Sequence, residues 1–351
     1  MSLAVFPDPT FAEDQQRRGG EGAKSRSTAL GEFLSTLDED QRGDALYAFD
    51  DDERFDFRLA PLGLEGLQVG DMSDAQWREL ESFLGSILSP VGLAKMNTIR
   101  SLEAEVAELE GGLIGFLMDR FRNPKRYFLA VFGNPAEEDA WGLRFDGHHL
   151  SLNWTWVPDK PLAVTPVFWG GQPRAVPEEL ERSGLRVLLE EESVAIGLIN
   201  GLSMEERQIA RVPFTHGSNI RRPMFVSGDV PLTLDEPRGL ARKNLSRAHQ
   251  KQLDDIIEIQ LGNFLPAIAD HYRLRIATQE DSIRFAMSVP KEAMGRSLSQ
   301  GDSLYYRIQG DSFIIEYDNT SEEADHIHVV WRDLENDFGQ DILAEHLATH
   351  H

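Results

Sequence analysis

The chain has 351 residues, 41% of them hydrophobic, and it carries 35 Lys and Arg against 59 Asp and Glu. The formal net charge of −24 repels phosphate backbones and anionic membrane surfaces, so it argues against nucleic acids and membranes as partners. Because the chain contains no cysteine, disulfides and thiolate ligands are excluded, and any metal ion must bind to His, Asp or Glu.

The sequence offers no sign of a targeting segment. No apolar run approaches the length of a membrane-spanning helix. The opening residues lack the basic end and apolar core of a secretory signal. A cytoplasmic location is therefore the default expectation, and a leader removed before the present Met1 is the alternative.

The N-terminal third is predicted to be helical. Residues 1–26 are polar and rich in Gly and Arg, which predicts a flexible arm. Residues 27–120 repeat apolar residues at helical spacing, with Asp38 and Ser73 where N-caps are expected. An apolar patch on these helices could support a homodimer.

The middle of the chain changes character. Residues 126–158 contain short aromatic and β-branched runs separated by turn residues, which predicts consecutive antiparallel strands. Helical spacing returns over 176–211, with Pro177 at an entry position, and again over 245–272. The intervening residues 212–244 carry Pro, Gly and Arg without periodicity and predict a long loop.

Residues 281–351 predict a second strand group, over about 281–334, followed by a C-terminal helix. The clearest hairpin turns at Gly310 and Asp311. No internal repeat is apparent. Both strand groups are expected to join one mostly antiparallel sheet, packed on one face by helices, so that residues 27–351 form a single α+β domain.

Side-chain alternation sorts four of the predicted strands onto two faces. One face is apolar. The opposite face has no Lys and carries His149, Ser151, Asn153, Tyr305, Arg307, Glu316, Asp318, His326, His328 and Arg332. A solvated face is usually rich in Lys, whereas imidazole, carboxylate and guanidinium groups build sites, so this composition indicates a functional face.

The stretch "HIHVVWRD" supplies the sharpest hypothesis. His326 and His328 stand two residues apart on a predicted strand, so their imidazoles project side by side and can chelate one ion. Glu316 and His149 on the matching face would complete the shell. These ligands do not distinguish Zn, Fe, Mn and Cu. An incidental His-x-His pair in a metal-free polar network is the alternative.

Catalytic roles follow from the same face. Glu316 is expected to act as ligand or base, and Tyr305 to donate a hydrogen bond or a proton. Arg332 and Arg307 are expected to orient an anionic group of the substrate.

Three further residues are candidates near the site: His148, Asp318 and His346. The alternative for Arg332 is an ion pair with Asp333 or Asp318.

Several longer stretches resemble the motifs of the bacterial domain-of-unknown-function family 3500. They are "YFLAVFGNP", "GHHLSLNWT", "TPVFWGGQP", "YYRIQGDSFIIEYDNT", "HIHVVWRD" and "DFGQDILAEH", which together span roughly residues 45–348. The residues that match these motifs include His148, His149, Glu316, Asp318, Asn319, His326, His328, Arg332 and His346. Family sequences tend to have "QGP" where this chain has "QGD" at 309–311, which touches no proposed ligand. The resemblance implies a shared fold unit and no particular reaction.

The resulting hypothesis is a metal-dependent enzyme acting on a small polar or anionic molecule. We favour a hydrolase or lyase because no redox cofactor motif is visible, with a metal-dependent oxidoreductase as an alternative. A non-catalytic protein that binds a small ligand or a metal, and a partner-binding domain without a metal, are the alternatives from other classes.

Overall fold

A computed structural model describes residues 26–57, 63–110, 122–137, 139–213 and 237–343. It has an α+β fold built on a mostly antiparallel sheet of 11 strands. The arm predicted over 1–26 lies outside the described residues apart from Arg26, and so does His346.

Helices precede both long series of strands. They are α1 (26–35), α2 (Glu39–Ala45), α3 (Asp74–Leu84), α4 (Pro90–Glu110), α5 (Leu189–Gly201), α6 (Met204–Ala210), α7 (Arg247–Leu261) and α8 (Pro266–Ala277). Residues 340–343 are also helical, following a 3-10 turn at Asp337–Gly339. None of the helices in the described ranges combines the length and the apolar character that a bilayer crossing requires.

The strands vary in length from two to nine residues. They are β1 (Leu46–Tyr47), β2 (Leu67–Gln68), β3 (Phe128–Phe132), β4 (Trp141–Gly147), β5 (Leu150–Trp156), β6 (Ala163–Gly171), β7 (Leu240–Ala241), β8 (Arg284–Ser288), β9 (Tyr305–Gln309), β10 (Phe313–Ser321) and β11 (His326–Asp333). The hairpin predicted at Gly310 and Asp311 joins β9 to β10, with Ile314 opposite Gln309.

Both predicted N-caps are confirmed. The side chain of Asp38 accepts a hydrogen bond from the Gln41 backbone N–H at 2.9 Å, and Ser73 accepts one from Gln76 at 3.3 Å. Each Gln side chain accepts a hydrogen bond from its cap's backbone N–H, which completes a capping box at the start of α2 and α3.

The sheet consists of two equivalent halves. Its order is β1-β3-β4-β5-β6-β11-β10-β9-β8-β7, with β2 also beside β3, so β3–β6 and β8–β11 meet where β6 pairs with β11. Each outer strand also has a short antiparallel neighbour, β2 on β3 and β7 on β8. Each outer strand also pairs with a parallel segment: Val131 of β3 pairs with Leu46, and Met287 of β8 pairs with Arg211.

The helices follow the same approximate twofold symmetry. Leu88, between α3 and α4, pairs with Phe264, between α7 and α8. The Ser89 N–H donates to the Asn263 carbonyl, and the Leu265 N–H donates to the Ile87 carbonyl, both at 2.9 Å. The two halves of the chain therefore repeat the same order of elements.

The predicted assignment of side chains to two faces is confirmed. The apolar set lies in one core with helix side chains such as Leu80 and Leu253. The opposite face is also buried, beneath the segments 51–57 and 336–339. A smaller apolar cluster on that face comprises Phe57, Phe168, Tyr305, Val330 and Phe338. The polar face is therefore a second interior layer.

The helix predicted over 176–211 begins only at Leu189. Before it, the backbones of Val176 and Leu185 pair at 2.9 Å around a turn in which Gly184 has φ of 79°. A left-handed glycine and this pairing prevent a continuous helix from Pro177.

Strand β6 was missed in the sequence because Pro166 and two glycines interrupt its pattern. Pro166 lies where the pairing of β5 with β6 shifts register, between Leu152 and Trp154, so the ladder loses little by accommodating it.

One prediction concerns His271 on α8, which packs edge-on against Tyr272. Burial, assisted by the neighbouring Arg275 cation, lowers its pKa from 6.5 to about 4. Between about pH 6.5 and pH 4, His271 is therefore protonated in the unfolded chain but not in the folded chain. The free energy of unfolding is highest above about pH 6.5 and decreases as the pH falls towards 4.

Between neutral pH and about pH 4.5, the folded protein loses free energy of unfolding as this proton binds to the unfolded chain. We expect His271→Gln to make that loss smaller by about 1–3 kcal/mol. Urea unfolding of both proteins at about pH 7.5 and about pH 4.5 measures the difference. An equal loss of stability in the two proteins would contradict the expectation.

Candidate functional site

Three imidazoles converge at one end of the sheet. His326 and His328 project from β11, and His149 lies in the turn between β4 and β5. The His326 Nε2 atom lies 2.7 Å from His149 Nε2 and 3.0 Å from His328 Nε2. The structure thus brings together three of the four ligands expected from the sequence, with their ring nitrogens within 4.8 Å of one another.

The backbone of His149 adopts an unusual conformation. Its φ is 63°, in the left-handed region that residues other than Gly, Asn and Asp seldom adopt. Its carbonyl accepts a hydrogen bond from the Gly170 N–H at 2.7 Å, which fixes the turn against β6. Strain of this kind persists where surrounding contacts determine the conformation, and it is common at functional sites.

Gly170 is the residue that lets the rings approach. It lies opposite His328 in the pairing of β6 with β11. A Cβ at this position would lie 2.8 Å from Cδ2 and 3.0 Å from Cβ of His149, closer than packed atoms allow. The His149 ring therefore occupies the space above a residue that lacks a side chain.

The three rings differ in exposure. His149 is 1% exposed and His328 is 4% exposed, whereas His326 is half-buried. Burial lowers the pKa of His149 and of His328 well below 6.5, and the neighbouring histidines add to the effect. Both imidazoles are consequently neutral at pH 7, which is the form that binds metal ions.

A buried carboxylate lies behind the histidines. Glu103 of α4, 3% exposed, has Oε1 2.9 Å from His148 Nδ1 and 3.6 Å from His149 Nδ1. The rings of His148 and His149 stack at 3.8 Å. Arg122 lies 3.8 Å from the other Glu103 oxygen and donates to the Gln172 side chain at 2.9 Å. Glu103 is thus placed to orient both rings.

Glu316 lies apart from the three histidines, contrary to its predicted place as fourth ligand. It is opposite Val330 of β11, two residues along the strand from His328, and it accepts a hydrogen bond from the Tyr305 hydroxyl. Asp318 is the carboxylate that lies directly opposite His328. The register between strands, which the sequence does not give, decides between these two carboxylates.

The two arginines have different surroundings. Arg332 is buried and forms an ion pair with Asp337, a partner that the sequence did not suggest, with Nε donating at 2.5 Å. This pairing is an obstacle to the predicted binding of a substrate anion. Arg307 lies opposite Glu316 on β9.

Nothing in the sequence distinguishes Glu103 as a site residue. It is one of four glutamates in the last nine residues of α4, and its neighbours in the sequence are those of an ordinary amphipathic helix. Only the packing of α4 against the turn between β4 and β5 distinguishes it.

Two adjacent glycines in β6 provide a test of the packing of His149. We expect Gly170→Ala to displace the His149 ring and to destabilise the protein by about 1–3 kcal/mol, because the added methyl collides with the ring. Gly171→Ala is the matched control, since a Cβ there meets nothing within 4 Å. Urea unfolding would contradict this picture if the two variants behaved alike.

Comparison with known proteins gives a family and no function. The comparison with curated proteins found no match, and the comparison with solved structures found none. One family profile matches residues 20–340, which is nearly the whole chain and agrees with the resemblance in its motifs. The chain therefore belongs to the family described as "Protein of unknown function (DUF3500)".

Proposed function

We propose that His149, His326 and His328 bind one divalent metal ion, and that this centre serves a hydrolase or lyase acting on a small polar or anionic molecule. The supporting observation is that the Nε2 atom of His326 lies within hydrogen-bonding distance of both other Nε2 atoms, at 2.7 and 3.0 Å. In a neutral imidazole each ring nitrogen has either an N–H group or a lone pair. Each short contact between two nitrogens needs one of each, and His326 Nε2 takes part in both contacts.

The tautomers make this competition explicit. The Glu103 carboxylate faces Nδ1 of His149 and favours a proton there, which leaves the lone pair of His149 on Nε2. His326 Nε2 can donate a proton to that lone pair, but it then has no lone pair left to accept from His328. With the lone pair of His149 on Nε2, both short contacts can be met only if one His326 N–H is shared between two acceptors, which weakens each bond.

A cation among three lone pairs removes the conflict. An all-imidazole set suits Zn, Cu or Fe better than Mn, which prefers oxygen ligands. Nitrogens bound tetrahedrally to zinc at about 2.0–2.1 Å lie about 3.3 Å apart. The observed separations of 2.7 and 3.0 Å would need to open by only about 0.3–0.6 Å.

A catalytic role is favoured by the number of ligands and by access. Three protein ligands leave room for water or substrate, as in catalytic zinc sites. His326 is half-buried and gives the cluster a side towards solvent. When bound, the ion would activate water or polarise a substrate oxygen at neutral pH.

Side chains on the same face supply the remaining roles. We assign Asp318, opposite His328, as general base, and Tyr305 and Glu316 as hydrogen-bonding partners of the substrate. Arg307, opposite Glu316, would favour an anionic group on the substrate. Arg332 keeps a structural role through its pairing with Asp337.

Metal content tests the proposal directly. Protein purified without nickel resin and loaded with Zn, Cu or Fe is expected to retain about one equivalent of metal and to unfold at a higher temperature. His328→Ala should lower the affinity about 100-fold or more, because it removes one of three ligands. His249→Ala on α7, outside the cluster, is the control.

Elemental analysis and thermal unfolding supply the measurements. A protein that binds none of these ions, with a melting temperature that none of them changes, would rule out the metal site. In the cobalt-loaded protein, a visible spectrum that changes on addition of azide would support an exchangeable position. A spectrum indifferent to azide would favour a closed, non-catalytic metal-binding protein.

Glu103 provides a second prediction. We expect Glu103→Gln to weaken metal binding about 10–100-fold, because the amide no longer fixes the proton on His149 Nδ1. Glu103→Asp, which keeps the charge, should restore part of the affinity. Nitrogen-15 NMR of the imidazoles in the metal-free protein checks the tautomer independently, and an unchanged tautomer in Glu103→Gln would contradict the assigned role.

A further inference from the structure

We propose a second binding site, independent of the histidine cluster, in which a basic amphipathic helix of a partner protein binds to a groove among α4, α5 and α7. The groove has a volume of about 630 Å³. Its walls are formed by Val91, Leu189, Glu190, Ser193, Val194, Asp255, Glu258, Ile259 and Gly262.

The floor and the lip of the groove are apolar. Val91, at the start of α4, is 62% exposed, and Leu189, at the start of α5, is 37% exposed. Val194 and Ile259 are half-buried between them. Scattered exposed apolar residues are ordinary on protein surfaces, but here two exposed and two half-buried apolar residues line one groove, and such a patch marks an interaction site.

The polar part of the groove is acidic. Glu190, Asp255 and Glu258 are its charged residues, and none of the lining residues is Lys or Arg. Asp255 is paired with Lys251 and Glu258 with Arg273, but all four side chains are more than a third exposed. The exposed Lys251 pair contributes little, so a cation from a partner can replace it at Asp255 at small cost. Arg273 holds Glu258 through both Nε and Nη2, so Asp255 and Glu190 are the acidic residues that a partner cation would meet.

These features together select the occupant. A groove between helices receives the apolar face of another helix, whose side chains fit between the ridges. The acidic residues require cations beside that apolar face. A second copy of this chain is disfavoured, because its net charge of −24 would meet the same acidic groove.

The probe is a labelled Leu/Lys peptide of about 18 residues, designed to form an amphipathic helix of five turns. We expect a dissociation constant on the order of 10 μM by fluorescence anisotropy, weakened as salt rises from about 0.05 to 0.5 M. A peptide of the same composition, reordered so that no apolar face forms, should bind at least about tenfold more weakly.

Variants locate the site. Val91→Ser combined with Leu189→Ser should weaken binding about tenfold, whereas Met204→Ser with Ile209→Ser, which alters comparably exposed residues on α6, should leave it unchanged. Circular dichroism and melting temperature check that both double variants remain folded. Single variants at the same positions replace any double variant that unfolds.

Several outcomes would overturn the proposal. These are no binding of the helical peptide, equal binding of the reordered peptide, or equal loss in both double variants. Self-association in analytical ultracentrifugation that disappears in Val91→Ser with Leu189→Ser would identify a second copy as the occupant instead.

Discussion

The pairing of β6 with β11 is the interaction on which the rest of the structure depends. It joins the two halves of the sheet, with Val167 opposite Trp331 near the centre and Gly170 opposite His328 towards one end. The Gly170 N–H also donates to the His149 carbonyl, so β6 fixes the turn of one half beside the first residues of β11 in the other. A shift of one residue in this pairing would turn His328 towards the apolar core, because side chains alternate between the faces.

The two halves, although built from the same order of elements, differ at the ends of the sheet. The turn that holds His149 in the first half corresponds to the turn at Ser312 in the second, each one residue before the strand that follows it. Near Ser312, Asp333 receives hydrogen bonds from Arg275, and this end of the sheet is closed by ion pairing. At the other end of the sheet, the turn that holds His149 lies beside His326 and His328. The same scaffold thus supports a structural network at one end and the candidate site at the other.

How far the sequence could predict this arrangement depended on whether the information was local. Side-chain alternation within strands placed His149, His326 and His328 on one face, and helix caps were recognisable within four consecutive positions. The order of strands and the register between β10 and β11 are not local, and they separated Glu316 from the histidines. Glu103 depends on how α4 packs, and β6 was obscured by proline and glycine that the neighbouring strands tolerate. The twofold symmetry is clearest in the order of the strands.

Burial of the polar face explains why the histidines stand out chemically. Removing charges from water is costly unless each is paired. The face meets this requirement elsewhere: Arg144 binds Glu53 at 2.6 Å and Asp146 at 2.9 Å, and Arg332 pairs with Asp337. In the three-histidine cluster, by contrast, imidazoles face one another at 2.7 and 3.0 Å. Carboxylates thus hold Arg144 and Arg332, whereas the facing groups of the histidine cluster are neutral ring nitrogens, and this difference is the physical basis of the metal proposal.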